Sequence, residues 1–266
     1  MGKIDDIQAY KEWTEYHRSL KRDKAADNLS PVERKKKLEK LEANVIEWIL
    51  FFFSEFAKYP FTKFHKKAIK RITTNMEWYE VLSWSRELAK STIVFMCMMY
   101  LVLTGKKKNV LLISNSHENA VRLLEPYKKA FESNSMLKAY YGDLREFGSW
   151  TADEFTLTTG ATFRAIGALE SPRGTRKDAV RPDTALVDDF DTDADCRNPD
   201  ILKKKWEWFE EALFPTRSIS EDLLVIFCGN LIALDCCVKR AGDKADHWDI
   251  AVSYTHLRAH ETKANL

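Results

Sequence analysis

The stretch Trp84-Ser85-Arg86-Glu87-Leu88-Ala89-Lys90-Ser91-Thr92 decides the fold of this chain. It joins an apolar strand-like run, 79–84, to a long apolar helix-like run, 93–103. A Lys-Ser pair at such a turn is typical of a phosphate-binding loop, because backbone N–H groups at the helix N-terminus attract phosphate oxygens. The lysine then reaches the outer phosphates and the hydroxyl ligates Mg²⁺. The standard pattern is G-x-x-x-x-G-K-[ST]; Trp84 and Ala89 take its two glycine positions, so the loop alone is a weak match.

After residue 76 the chain alternates between short apolar runs and helical periodicity. Strands are predicted over 80–84, 109–113, 184–187 and 223–228, and helices over 90–104, 117–133 and 200–213. Thr159-Gly160 separates two further apolar runs, 155–158 and 161–166, which favours a hairpin. This alternation predicts an α/β fold of the P-loop NTPase kind, with a mainly parallel sheet flanked by helices.

The segment before the sheet is predicted to be helical. Ser30-Pro31-Val32-Glu33 is a capping box with proline at the first helical position, and apolar residues then recur at helical spacing up to Tyr59-Pro60. A second helix is predicted over 61–72. We therefore expect a helical N-terminal region over 1–58 and a P-loop domain over 59–250.

The composition is that of an ordinary globular protein. Of 266 residues, 45% are hydrophobic and 31% charged, and a net charge of +2 gives no global field that would favour nucleic acid. Local basic clusters, such as 106–108 and 203–205, are expected to be solvated faces. The five cysteines show no metal-ligand spacing and suit buried thiols in a reducing compartment. No signal peptide or membrane span is predicted.

Residues 184–191, Thr-Ala-Leu-Val-Asp-Asp-Phe-Asp, form an apolar strand that ends in adjacent carboxylates. This is the Walker B arrangement, in which Asp188 would hold Mg²⁺ and Asp189 would orient and deprotonate the attacking water. A strand that ends in a polar turn is the alternative. Cys228-Gly229-Asn230 ends the next apolar strand, where a polar residue would lie beside the phosphate loop and sense the γ-phosphate, or would simply make a turn.

Three arginines are further candidates. Arg86, inside the phosphate loop, would act as an in-cis arginine finger, or pair with Glu87 or Asp189 instead. Arg173 and Arg176 lie in the basic loop 171–183 and would contact nucleotide in a neighbouring subunit or DNA phosphate, unless the loop is merely exposed.

These four motifs together resemble the ATPase domain of the large terminase subunit of tailed bacteriophages. Ser85 to Thr92 resembles the family's deviant Walker A, Leu186 to Asp191 its Walker B, Ser171 to Arg176 its Arg-Gly loop, and Phe227 to Asn230 its coupling motif. Their order and spacing agree over roughly residues 45–250. One departure is that the family commonly has glutamate as the catalytic acid, where this chain has Asp189, with Asp191 as a second candidate.

The resemblance implies a motor that hydrolyses ATP with Mg²⁺ to move viral double-stranded DNA into a procapsid. Residues 85–92 would bind ATP, Ser91 and Asp188 would hold Mg²⁺, and Lys90, Arg86 and Asp189 would be catalytic. Residues 228–230 would couple hydrolysis to movement. The implied partners are viral DNA, a portal protein, a terminase small subunit and further copies in a ring, in the host cytoplasm at the procapsid portal and without membrane association or secretion.

The end of the chain departs from this family. Large terminases usually continue into a metal-dependent nuclease domain, so endonuclease activity is expected only in a full-length protein. Val252 to Thr262 resembles a translated sequencing adapter, so we expect 251–266 to be non-native and the chain to be truncated. His256 and His260 are accordingly not interpreted as metal ligands. A helicase-like P-loop motor and a non-catalytic nucleotide-binding assembly module remain the alternative functions.

Overall fold

The computed structural model describes residues 29–57, 59–171, 181–217 and 222–251. Arg173, Arg176 and the adapter-like tail after Ala251 lie outside the described residues. The chain divides into two compact units. One comprises 1–74, 92–106 and 127–145, and the other comprises 75–91, 107–126 and 146–266.

The first unit contains helices α1 (Pro31–Glu42), α2 (Val45–Phe52) and α3 (Lys63–Thr74). The capping box at Ser30 is present: the Ser30 N–H donates to Glu33 Oε2 at 3.0 Å, and the Glu33 N–H donates to Ser30 Oγ at 3.4 Å. The prediction of one continuous helix from Pro31 to Tyr59 was wrong. Asn44 interrupts it, because its side-chain oxygen accepts from the N–H groups of Ile46 and Glu47 and thereby starts a new helix.

Aromatic side chains form the core of this first unit. Trp48, Phe52 and Phe53 of the α2 region are buried. The Trp48 indole donates to the Tyr141 hydroxyl at 2.8 Å, which in turn donates to Glu42 at 2.8 Å. The Trp48 indole and the Tyr141 hydroxyl each have a partner in this series of hydrogen bonds, as burial favours.

Three more helices connect strands of the sheet. They are α4 (Lys90–Leu103), α5 (His117–Ser133) and α6 (Ser135–Tyr141). Residues 93–102 of α4 are all buried, which explains why its sequence is apolar on every side. No helix in the described ranges has the length and apolar character that crossing a membrane requires.

The second unit is built on an eight-stranded sheet, which confirms the predicted α/β class. The strands, in chain order, are β1 (Trp78–Trp84), β2 (Asn109–Ser114), β3 (Arg145–Trp150), β4 (Glu154–Leu157), β5 (Thr162–Gly167), β6 (Thr184–Asp188), β7 (Leu224–Cys228) and β8 (His247–Ala251). Their spatial order is β3-β4-β5-β2-β6-β7-β1-β8. The pairs β5-β2, β2-β6, β6-β7, β7-β1 and β1-β8 are parallel, and β4-β5 is the predicted antiparallel hairpin.

The central strands are buried on both faces. One face, which includes Val81, Val187 and Phe227, packs in a cluster with apolar residues of the helices that follow β6 and β7. Those helices are α7 (Asp193–Cys196), α8 (Pro199–Glu207) and α9 (Cys237–Gly242), with a π-helical turn over Trp208–Leu213 that continues α8. The helix predicted over 200–213 therefore changes its hydrogen-bond pattern after Glu207.

The sequence alone did not predict β3, β8, α6, α7 or α9. β3 is mostly exposed and contains Gly148, and β8 is a short strand that begins with His247, so neither carries a strong apolar signal. Lys107 and Lys205 also depart from the prediction that their basic clusters are solvated, because both are buried.

Candidate functional site

The predicted phosphate loop connects the end of β1 to the start of α4. Trp84, at the first glycine position of the standard pattern, is fully buried in the sheet. Glu87 and Ala89 have φ angles of 74° and 58°, in the left-handed region that favours glycine. Ala89 thus adopts the backbone geometry of the second glycine position without being glycine.

The start of the loop is fixed to the edge strand. The Ser85 N–H and the Ser85 hydroxyl both donate to the Ala251 carbonyl, at 2.8 and 3.2 Å. Ala251 ends β8 and pairs in register with Trp84. β8, which the sequence analysis missed, therefore anchors the loop.

Sheet order brings the loop and the acids to one edge. Asp188, at the end of β6, is in register with Cys228 of β7, and Cys228 is in register with Leu82 of β1. Carboxyl ends of parallel strands meet at the same edge, where ligands bind. The Ser91 hydroxyl accordingly donates to Asp188 Oδ2 at 2.7 Å, across 97 residues of sequence.

Asp188 is the buried acid of the site. Burial raises the pKa of its carboxyl to about 6, and the neighbouring charge of Asp189 adds to this, while the Ser91 hydrogen bond and the Lys90 ammonium oppose it. A buried carboxylate of this kind is stabilised by a cation. Its second oxygen accepts the Asp189 N–H at 3.1 Å.

Asp189 and Asp191 have different surroundings. Asp189 is exposed and has a φ of 47°, a left-handed conformation that is uncommon outside glycine. Asp191 Oδ2 accepts the Val238 N–H at 3.0 Å, in the first turn of α9. One oxygen of Asp191 is therefore engaged in holding a helix N-terminus, whereas Asp189 has the exposure that a water-activating acid needs.

The segment 228–230 packs closely against the loop and against α9. Lys90 Nζ donates to Asn230 Oδ1 at 3.4 Å. A Cβ on Gly229 would lie 2.2 Å from Val238 Cγ2, so only glycine fits this position. Cys228 is buried, and burial raises the pKa of its thiol well above the usual value, so it stays neutral.

A cavity of about 570 Å³ lies at this edge of the second unit, a volume in the range of small-molecule sites. Asp188, Asp189 and Asp191 line it, as do Arg86, Gly229 and Asn230. Lys90 and Ser91 do not line it, but they bond to Asn230 and Asp188, which do.

Arg86 is exposed at the cavity wall. Among the described residues it forms no ion pair with either Glu87 or Asp189, the two local partners considered from the sequence. The guanidinium is thus placed at the cavity without being neutralised by either of these carboxylates.

Another part of the cavity lining was not predicted. It contains Ser114 and Asn115, at the end of β2, and Asn119 and Arg122 of α5. Asn119 Nδ2 donates to Asn115 Oδ1 at 2.7 Å. The polar residues directly after the buried strand 109–113 could have indicated this part of the site, because ligands bind at the carboxyl ends of strands in a parallel sheet.

Comparison with known proteins gives structural matches only. No protein-family model matches the chain, and no curated protein matches it. The ATPase domain of the Thermus phage P74-26 large terminase, in a mutant form, matches at a TM-score of 0.49 and 14% identity over 76% of this chain and 84% of that chain. A second structure of that domain has a TM-score of 0.42 and 16% identity, over 66% and 67%.

The HK97 bacteriophage large terminase matches at a TM-score of 0.48 and 13% identity, over 73% of this chain but only 39% of that one. These three solved structures, which resemble this chain in fold, are all of phage large terminases or their ATPase domains.

Proposed function

We propose that this chain hydrolyses ATP with Mg²⁺ at the edge of the sheet formed by β1, β7 and β6. The observation that carries the proposal is the 2.7 Å bond between the Ser91 hydroxyl and Asp188. These are the two groups that share a magnesium ion in P-loop ATPases, and here they come from separate elements to a common point.

The residues fit a divalent cation. Asp188 is 8% exposed, and its ionised form is disfavoured by burial, so a bound cation offsets that cost. Ser91 supplies a hydroxyl oxygen beside it, and hard oxygen donors are the ligands that Mg²⁺ prefers. When bound with ATP, the ion neutralises phosphate charge.

The residues of the chain have separate roles in the proposed reaction. Residues 85–92 bind the phosphates through backbone N–H groups other than that of Ser85, which donates to Ala251, and through the Lys90 ammonium. Asn230 lies within reach of Lys90 to respond to the outermost phosphate. Asp189 accepts the proton of the attacking water. Arg86, at the cavity wall, neutralises charge that develops on the transferred phosphoryl group.

The wider role that we propose is that of the motor domain of a terminase large subunit, which moves viral double-stranded DNA into a procapsid. The order of the four sequence motifs supports it. The same proposal includes a portal protein and a small subunit as partners, a ring of copies, and a location in the host cytoplasm at the procapsid portal. It also includes the limits 1–58 and 59–250, the non-native tail, and the contacts of Arg173 and Arg176 with DNA or a neighbouring subunit.

The test is steady-state ATP hydrolysis by the purified chain with Mg²⁺. Lys90→Ala and Asp189→Asn are each expected to lower kcat at least 100-fold, since each removes a group that acts on the transferred phosphoryl or its nucleophile. Lys204→Ala and Asp193→Asn serve as matched controls, because both residues are exposed and Asp193 lines the same cavity.

Hydrolysis at the wild-type rate in both the Lys90→Ala and the Asp189→Asn variant would refute the proposal. Tight ATP binding without turnover, even with DNA present, would favour a non-catalytic assembly module. ATP-driven separation of DNA strands would favour a helicase-like motor.

A further inference from the structure

Lys205 is a buried lysine in a cluster where its neighbours are exposed. Its side chain is 4% exposed, whereas the Lys203 side chain is 69% exposed and pairs with Glu207. Lysine is almost never fully buried unless it is paired, because removing an ammonium from water costs several kcal/mol. The burial of Lys205 therefore indicates a specific role for its side chain.

Its contacts converge on the loop that carries the acids. Lys205 Nζ donates to the Phe190 carbonyl, and it donates to Asp195 Oδ2 at 2.8 Å. It also lies 4.6 Å from the centroid of the Phe190 ring, as a cation–π contact. Phe190 directly follows Asp189, so the lysine holds the Phe190–Asp191 peptide unit, one residue beyond the proposed catalytic acid.

That acid needs external support. The left-handed φ of Asp189 is disfavoured for residues other than glycine and persists where the surroundings hold it. On its N-terminal side the Asp189 N–H is held by Asp188. On its C-terminal side the Phe190 ring is fully buried, 5.7 Å from the Phe227 ring, and Lys205 holds the Phe190 carbonyl.

Asp195 completes the arrangement by keeping Lys205 in place. It belongs to α7, where its carboxylate accepts the Thr192 N–H at 3.1 Å in a reciprocal capping box. The ammonium of Lys205 thus bridges the acid loop and the helix that follows it.

We propose that Lys205 is a positioning residue for hydrolysis, which fixes the backbone beside Asp189 so that this carboxylate faces the cavity. The proposal rests on the proposed ATPase function. Because a displacement of about 1 Å at a reacting group can cost about a hundredfold in rate, loss of the Lys205 bond is expected to lower kcat. ATP binding depends on Lys90, Ser91 and Asp188, which Lys205 does not contact, so KM is expected to change little.

The variants separate positioning from stability. Lys205→Met leaves the half-buried Asp195 carboxylate without the Lys205 ammonium and can fail to fold, so Lys205→Met combined with Asp195→Asn removes both charges at once. Asp195→Asn alone removes the ion pair, but the asparagine oxygen can still accept from Lys205, and the Lys205 bond to the Phe190 carbonyl is kept. Lys204→Met is the exposed control.

The expected result is a 10- to 100-fold lower kcat in the double variant than in Asp195→Asn, with KM for Mg·ATP within about threefold. Equal kcat values in the double variant and Asp195→Asn would overturn the proposal.

Hydrogen–deuterium exchange without nucleotide gives a readout that does not need activity. The peptide that spans 188–192 is expected to exchange faster in the double variant than in Asp195→Asn, with no change in Lys204→Met. Unchanged exchange would overturn the positioning role. An inactive wild type with the expected exchange pattern would instead count against the ATPase proposal.

Discussion

Asp188→Asn is expected to stabilise the metal-free protein while it abolishes ATP hydrolysis. The carboxyl of Asp188 accepts the Ser91 hydroxyl on one oxygen and the Asp189 N–H on the other. Asparagine can keep both contacts: its oxygen accepts from Asp189, and its amide donates to the Ser91 oxygen. The substitution therefore removes a buried charge without leaving a polar group unpaired.

The size of the effect follows from the pKa. Burial raises the pKa of Asp188 from its usual value to about 6, a shift of about two pKa units, or about 3 kcal/mol. The unfolded chain ionises this group near pH 4, whereas the folded protein keeps the proton up to about pH 6. Wild-type stability therefore falls as pH rises through this window, and the asparagine variant escapes that loss.

The assay is thermal and urea denaturation in EDTA at pH 5 and pH 8. At pH 8 the gain is at most about 3 kcal/mol, or roughly 6 to 12 °C in Tm for a domain of this size. At pH 5 the gain in stability should be smaller than at pH 8 by on the order of 1 kcal/mol. Mg²⁺ should stabilise the wild type and not the variant.

The exposed Asp193→Asn serves as the control and should show no such gain. Two results would refute the reasoning that burial of charge dominates at Asp188. One is an Asp188→Asn variant no more stable than wild type at pH 8, and the other is a gain in stability that is equal at pH 5 and pH 8.

Three further substitutions test the surroundings of the site. Gly229→Ala should lower the free energy of unfolding by about 1–3 kcal/mol, because the added Cβ would lie 2.2 Å from Val238 Cγ2. The double variant Gly229→Ala with Val238→Ala should recover most of this loss, as measured by urea denaturation. Asp191→Asn should keep kcat within about threefold because asparagine still accepts at a helix N-terminus; a loss as large as that of Asp189→Asn would make Asp191 the catalytic acid. Asn230→Asp should weaken ATP binding about tenfold or more, because its carboxylate would pair with Lys90 and repel phosphate; unchanged affinity in a fluorescent-nucleotide titration would contradict this.

Local signals predicted much of the fold. The strands β1, β2, β6 and β7 and the helices α4 and α5 were predicted to within about two residues at each end, because long apolar runs and clear periodicity dominate over context. The break at Asn44 was missed because apolar spacing continued across it, although the side chain caps a new helix. The weakly apolar β3 and β8 depend on pairing with neighbouring strands rather than on their own sequence.

The sequence alone did not decide whether Asp189 or Asp191 is the candidate catalytic acid. Both follow the same strand, and both are carboxylates of equal reach. The contact between Asp191 and Val238, 47 residues apart, and the exposure of Asp189 give them different surroundings. The same holds for Lys205, whose basic cluster looked like a solvated face until packing placed its ammonium on Phe190.

The sequence by itself determined which residues end the central strands, and so which chemical groups are present: a Lys-Ser pair, adjacent aspartates and a Gly-Asn turn. Those properties are local, since periodicity and turn chemistry act over a few residues. The tertiary structure alone decided that β7 lies between β1 and β6, that Ser91 meets Asp188, and that Lys205 supports the acid loop. Strand order and helix packing are set by burial of surfaces far apart in the chain, for which no short stretch of sequence carries a signal.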